Sequence, residues 1–143
     1  MTTTVLAERI CALAPGVQLT AIAMQGDADG APRARFVAAR LGPDMKLRFA
    51  THLSSAKIAR LEAAPRVSAT LAPVGLASQE WLEIDGLAEV STSAADRHEF
   101  WFDELRAYVE GPDDPDYAVV TIQPTTIAIA SMTAVPEVWH ALT

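Results

Sequence analysis

The sequence predicts a mainly β domain, an antiparallel barrel with a few helices inserted between its strands. Six or seven short apolar segments have the length and partial alternation of strands. Helical patterns do not follow every strand, which argues against a doubly wound parallel sheet. The chain has 143 residues, half of them hydrophobic, so it has room for one well-packed core.

The first third of the chain predicts a helix followed by a hairpin. Apolar residues recur at helical spacing over residues 2–13, and Pro15 and Gly16 end that pattern. Residues 17–25 are apolar and partly alternating, which predicts a strand. The turn at 26–30 leads into a returning strand at 32–41.

The middle third predicts three strands and one helix. A turn at 42–44 precedes a strand at 45–50, and Ser54 or Ser55 caps a helix that ends at Ala63 or Ala64 before Pro65. A strand at 66–72, a loop at 73–78 and a long strand at 81–90 follow. Gly86 inside that strand predicts a bulge or a close approach of another backbone.

The last third predicts one long helix and two strands. Ser93 caps a helix expected over 94–109, with an apolar face made by Phe100, Trp101, Leu105, Tyr108 and Val109. An acidic, proline-containing loop occupies 111–116. Strands are expected at 117–123 and, after Pro124, at 127–131; the last dozen residues carry no clear pattern.

Basic residues are concentrated in one segment of an acidic chain. Residues 33–66 hold eight of the eleven Lys and Arg and only two acids, a formal charge of +6 in a chain of −7. Such asymmetry within a small domain indicates an anion site. The net acidity argues against nucleic acid as the main partner, because duplex binding needs a broad basic face.

At the centre of the basic segment, a strand end turns into a helix start. Thr51, Ser54, Ser55 and Lys57 converge there, and the first turn of a helix offers unpaired backbone N–H groups and a positive dipole end. Together these groups suit a phosphate. The alternative is an ordinary helix cap beside a surface lysine.

Other candidate residues carry weaker signals. Arg33 and Arg35 share one face of a strand, as do Lys46 and Arg48, which we expect to be solvated. Trp81 starts a strand beside a polar loop and either stacks on a cofactor ring or packs in the core. No catalytic acid, base or nucleophile is identified, and no metal-ligand spacing occurs.

The remaining features predict an ordinary cytoplasmic protein. The single cysteine, Cys11, lies in an apolar setting that predicts a buried, unreactive thiol. The N-terminus lacks a signal-peptide pattern, and no apolar run approaches the length of a membrane span.

These residues together resemble the FMN-binding split-barrel family related to pyridoxamine 5′-phosphate oxidase. Four stretches carry the resemblance: the strand at 29–35 that ends in Arg35, the segment from Phe49 through Lys57 to Val67, the strand at 84–89 around Gly86, and Trp101 with the acidic loop before Tyr117. The last of these is similar to the bacterial general stress proteins of the family. The match runs in order from about Val17 to Thr126.

The resemblance implies a six-stranded antiparallel split barrel that forms homodimers, with two FMN sites at the subunit interface. It implies that Arg35, Ser55 and Lys57 hold the FMN phosphate, with Thr51 close to the phosphate or the ribityl chain. A phosphate dianion would account for the local positive charge. The implied function is an FMN-dependent oxidoreductase or flavin reductase working with NAD(P)H or a small molecule.

The sequence also departs from the family pattern. The C-terminal Arg/His substrate motif of the oxidase is absent, so oxidation of vitamin B6 is not expected. The C-terminal strand motif of the general stress proteins is replaced by Ile127-Ala128-Ile129-Ala130. Two alternatives therefore stay open on the same fold: a non-catalytic flavin-binding stress protein and a deazaflavin-dependent reductase.

Overall fold

The computed structural model describes residues 2–26, 30–71 and 79–142. The predicted turn at 26–30 and the predicted loop at 73–78 lie largely or wholly outside these residues. The elements, in chain order, are α1 Thr3–Leu13, β1 Val17–Met24, β2 Arg33–Leu41, β3 Leu47–His52, α2 Ala56–Ala63, β4 Arg66–Leu71, β5 Glu80–Ser91, α3 Ala94–Phe100, a 3₁₀ helix Asp103–Ala107, β6 Tyr117–Ser131 and β7 Glu137–His140.

The strands form the predicted antiparallel barrel. Six strands lie in the order β3-β2-β1-β4-β5-β6, and pairing of β3 with β6 closes the ring. The seventh strand, β7, pairs with the second half of β6, beyond the part that β3 occupies. Closure leaves no free edge among the six barrel strands. In the described part of the chain, no helix has the length and apolar character needed to cross a membrane.

The barrel interior is apolar because alternate residues of each strand face inward. Leu47 and Phe49 on β3 are fully buried, and the same alternation places Thr51 third in their inward row. Burial of each large apolar side chain stabilises the fold by about 1.5–3 kcal/mol. Ile58 and Leu61 attach α2 to this core. The start of α2 is therefore fixed beside the end of β3.

The strand before that junction starts later than the sequence predicts. The expected range is 45–50, whereas β3 runs from Leu47 to His52. Met45 has a φ of 69°, which places it in the left-handed region of a turn rather than in a strand. The strand also ends two residues later than predicted, so that β3 includes Thr51 and His52.

Gly86 lies at the predicted irregularity of β5. The β5–β6 register shifts between Asp85 and Gly86. A Cβ atom at Gly86 would lie 2.2 Å from the backbone oxygen of Gln123, so the approach of the two strands requires glycine there.

The same irregularity explains an error in the predicted strands. The sequence predicts separate strands at 117–123 and 127–131, but β6 is continuous from Tyr117 to Ser131. Pro124 pairs opposite Gly86. A proline, which has no N–H to donate, is accommodated in a strand at such a bulge.

The long helix predicted over residues 94–109 is wrong. The chain leaves the helix after Phe100, passes through extended backbone at Phe102 and forms a short 3₁₀ helix. In one straight helix, Leu105 and Val109 would point about 140° and about 180° away from Phe100. The break lets all three side chains enter one buried cluster with Tyr117. That cluster, which also includes Val119, packs outside the barrel against Ala50.

Candidate functional site

The junction between β3 and α2 is built by a helix cap. Ser55 has extended backbone angles, and its Oγ accepts a hydrogen bond from the Lys57 backbone N–H at 3.2 Å. Ser55, and not Ser54, is therefore the cap. Because the Oγ acts as the acceptor in this bond, the Ser55 hydroxyl proton remains able to donate to a ligand.

Lys57 is the most unusual group at this junction. Its side chain is half-buried, its Nζ donates to Thr51 Oγ1 at 3.3 Å, and it lies 5.9 Å from the centre of the Phe49 ring. Burial lowers the pKa of Lys57, and the nearby positive charge of Arg35 lowers it further. Both influences disfavour the ammonium. An anion bound here would relieve them.

Arg35 lies on β2, paired opposite Ile22 of β1, and its side chain is exposed. Its charge reaches Lys57. The structure thus brings Thr51, Ser55 and Lys57 together, with the charge of Arg35 near enough to affect Lys57. We call Arg35, Thr51, Ser55 and Lys57 the basic corner.

A cavity of about 300 Å³ adjoins the basic corner. Thr51, His52 and Lys57 form its polar end. The other walls are Leu19, Phe36, Val37, Ala38, Ala50, Leu105, Tyr108 and Val109. A mainly apolar cavity lined by one lysine suits a ligand that has a flat apolar part and an anionic tail.

Three of the apolar walls face solvent. Leu19 is 68% exposed, and Phe36 and Tyr108 are each 71% exposed. Large exposed apolar side chains grouped around a cavity are typical of a surface that binds a ligand or another protein.

Trp81 is placed elsewhere. It pairs opposite Ala130 at the start of β5, and its indole N–H donates to Glu83 at 3.2 Å. The end of β5 that approaches the basic corner is Ser91, opposite Val119. Ten residues separate Trp81 from Ser91, about 33 Å of strand. Within one protomer, Trp81 is not brought to the cavity.

Ser54 does not present its donors to the cavity as predicted. Its backbone N–H and its hydroxyl both donate to the carboxylate of Asp116, at 2.9 and 3.1 Å. The sequence pattern places Ser54 among the phosphate ligands, but its hydrogen-bonding capacity is used within the protein.

His52 and Asp116 are site residues that sequence reasoning missed. His52 lines the cavity, and its Nδ1 lies 2.9 Å from Asp116 Oδ2. Hydrogen bonds from the Ser54 amide, then from the side chains of His52 and Ser54, lower the pKa of Asp116. The carboxylate is therefore an acceptor, and His52 Nδ1 carries the proton. The acidic loop is visible in the sequence, but its contact with His52 depends on the pairing of β3 with β6.

Other predicted candidates lie outside the corner. Arg48 pairs with Asp44 at 2.7 Å, in keeping with the surface role expected of it. Cys11 is half-buried, and burial raises the pKa of its thiol. Among the described residues, no group of three or more His, Cys, Asp and Glu side chains is arranged to hold a metal ion.

The closed six-stranded barrel with its inserted helices defines the class of fold, the split barrel. A family model described as pyridoxamine 5′-phosphate oxidase matches residues 11–130. The chain belongs to that family. A comparison with curated protein sequences gives no match.

Solved structures share the fold over nearly the whole chain. General Stress Protein 26 from Bacillus anthracis str. Sterne superposes with a TM-score of 0.81 at 26% identity, covering 95% of this chain and 98% of that one. The general stress FMN/FAD binding protein from Xanthomonas citri gives 0.72 at 22% identity, with 94% and 93% covered. A heme binding protein from Mycobacterium smegmatis gives 0.72 at 19% identity, with 98% and 58% covered.

Proposed function

We propose that this protein binds FMN through the basic corner and is an FMN-dependent oxidoreductase, exchanging hydride or electrons with NAD(P)H or a small molecule. The observation that carries the proposal is Lys57: a half-buried ammonium whose two electrostatic influences both disfavour its charge. A phosphate dianion would supply the missing negative charge.

The residues present fit a flavin phosphate. Lys57 and Arg35 would neutralise it, the Ser55 hydroxyl would donate to it, and the positive dipole end of α2 would favour its charge. Thr51 holds the Lys57 ammonium in place from its buried position. When bound, the flavin supplies the hydride chemistry, whereas the protein supplies binding and orientation.

The cavity also supports the proposal of a homodimer. Its walls at Leu19, Phe36 and Tyr108 are exposed, and a second copy packed over them would remove this apolar surface from water. That second copy would complete the enclosure of the ring. In such a dimer, Trp81 could contact a flavin only across the interface, because within one protomer it lies at the far end of β5 from the corner.

One neighbour in structure supports a flavin ligand, and two support a stress-related role. One is a general stress FMN/FAD binding protein and another is General Stress Protein 26. Neither name states a reaction, so the alternative of a non-catalytic flavin-binding stress protein is tested together with the oxidoreductase.

The test is a fluorescence titration of the purified apo-protein with FMN and with riboflavin, which lacks the phosphate. We expect saturable binding of FMN at micromolar concentration and weaker binding of riboflavin. Steady-state oxidation of NADH or NADPH by the FMN-loaded protein supports the oxidoreductase; FMN binding without turnover supports the carrier. Binding of a deazaflavin cofactor with no binding of FMN would reject the proposal in favour of a deazaflavin reductase.

A further inference from the structure

The acidic loop at 111–116 contacts the turn that leads into α2. Asp116 makes four hydrogen bonds to it. Its carboxylate accepts from the Ser54 backbone N–H at 2.9 Å, from the Ser54 hydroxyl at 3.1 Å and from His52 Nδ1 at 2.9 Å. Its carbonyl oxygen accepts from the Leu53 N–H at 2.7 Å. Three consecutive residues, 52–54, are therefore tied to one aspartate.

Asp116 is itself held in place. Asp114 accepts from the Asp116 N–H at 2.9 Å and from the Glu110 N–H at 2.8 Å. The Asp114 carbonyl accepts from Arg97 Nη1 at 3.1 Å, and the hydroxyl of buried Tyr117 donates to the Arg97 carbonyl at 2.9 Å. A continuous chain of hydrogen bonds thus runs from α3, through the acidic loop, to the turn beside Ser55.

The charge of Asp116 has the wrong sign for its location. A carboxylate beside an anion site repels the anion that the site should hold. It also occupies the two Ser54 donors that would otherwise be available to a phosphate. Attraction of a bound anion is therefore not the role of Asp116. Its hydrogen bonds to residues 52–54 indicate a role in positioning instead.

We propose that Asp116 is a positioning residue for the basic corner: by tying down residues 52–54, it fixes the direction in which Ser55 and Lys57 meet a phosphate. This inference rests on the proposed function. The acidic loop would then influence how the protein recognises a phosphate group. Asp116 acts indirectly, because it contacts the turn next to the basic corner and not a residue of the corner.

Asp116→Asn distinguishes a positioning role of Asp116 from a purely electrostatic one, because the two roles predict opposite changes in FMN affinity. Asn keeps the shape of the side chain but loses the charge and one acceptor oxygen. If Asp116 acted only by its charge, Asp116→Asn would strengthen FMN binding, since a repulsive charge is removed. If it acts by position, Asp116→Asn weakens FMN binding, by about three- to ten-fold for the loss of charge-assisted hydrogen bonds.

Riboflavin affinity, measured beside FMN affinity, distinguishes a misplaced corner from a general loss of structure. A loosened protein would bind both flavins less well, whereas a misplaced corner weakens only FMN. We expect the ratio of FMN affinity to riboflavin affinity to fall in Asp116→Asn. The matched control is Asp113→Asn: Asp113 lies on the same loop, carries the same charge and pairs with a histidine, His98, at 2.7 Å, and its ratio should stay at the wild-type value.

The outcomes distinguish this inference from the proposed function. Absence of binding of either flavin to the wild-type protein overturns both. FMN preference in the wild type, with an unchanged or increased ratio in Asp116→Asn, overturns the positioning role alone. If Asp116→Asn does not fold, as judged by its thermal transition, Ser54→Ala carries the test. It removes the hydroxyl contact to Asp116, and we expect its ratio to fall by about two-fold; an unchanged ratio there overturns the inference.

Discussion

Two cations of the basic segment, Arg48 on β3 and Lys57 on α2, lie in opposite electrostatic situations. Both terminal nitrogens of Arg48 donate hydrogen bonds to the Asp44 carboxylate, at 3.2 and 2.7 Å. That hydrogen bonding lowers the pKa of Asp44 and raises the pKa of Arg48. Both partners are stabilised in their charged forms. Lys57 instead has a lowered pKa, from burial and from Arg35.

The difference shows which part of the positive charge is available to a ligand. Arg48 is neutralised within the protein, so its charge contributes little to a bound anion. Lys57 is half-buried beside a hydroxyl and an aromatic ring, and its partial burial and the charge of Arg35 disfavour the ammonium in the isolated protein. Under the proposed function, a bound phosphate would offset that cost, which makes Lys57 the cation most available to a ligand.

The largest expected effect follows from removal of the Lys57 ammonium. Lys57→Ala should weaken FMN binding ten-fold or more, about 1.4 kcal/mol or greater, because a charge-assisted contact to the phosphate is lost. Fluorescence titration measures this change. Arg48→Ala is the matched control, and its FMN affinity should equal that of the wild type. Equal affinity in Lys57→Ala would reject the basic corner as the phosphate site.

The sequence predicted a solvated Arg48 and a ligand-binding Lys57, but it did not predict the partner of either cation. Both belong to one run of positive charge, and the partner of each depends on the turn and the strand pairing around it. The cap at Ser55 and the bulge at Gly86 were predictable because each has a local cause: a short polar side chain before a helix, and a glycine inside a strand.

Contacts between distant parts of the chain were the ones that sequence reasoning missed. Asp116 and Ser54 are 62 positions apart, so no spacing rule joins them. The break after Phe100 has the same origin, since a cluster formed with Tyr117 overrides the helical pattern. Local signals identified the residues of the basic corner, and a long-range contact decided that the donors of neighbouring Ser54 are used within the protein.

The second expected effect is on pH dependence, and it has opposite signs for stability and for binding. The folded-state pKa of Lys57 lies below its ordinary value of 10.5. Between these two values, the unfolded chain binds a proton that the folded chain has released, so apo-protein stability rises with pH in that window. FMN affinity falls in the same window, because the ammonium is lost.

Chemical denaturation of the wild type and of Lys57→Ala across this window checks the stability change. The rise should be absent from Lys57→Ala. Burial raises the pKa of Tyr117 from 10.0 to about 12, which makes stability fall as pH rises above its ordinary pKa. That contribution is common to both proteins and cancels in their difference. A rise of equal size in Lys57→Ala would assign it to another group and contradict a buried, destabilised ammonium at Lys57.

The smallest expected effect is at the ion pair between Arg48 and Asp44. Asp44→Asn should lower the free energy of unfolding by at most about 1 kcal/mol, since exposed ion pairs contribute about 0.2–1 kcal/mol, and should leave FMN affinity unchanged. The pKa of Asp44 is lowered in the folded state, so its contribution is present above the ordinary value of 3.8 and is lost as pH falls through the folded-state pKa. Wild type and Asp44→Asn should therefore converge in stability in acid, as measured by urea denaturation. A ten-fold loss of FMN affinity in Asp44→Asn would show that Arg48 and Lys57 act as one site, because freeing Arg48 from its partner would then have altered the basic corner.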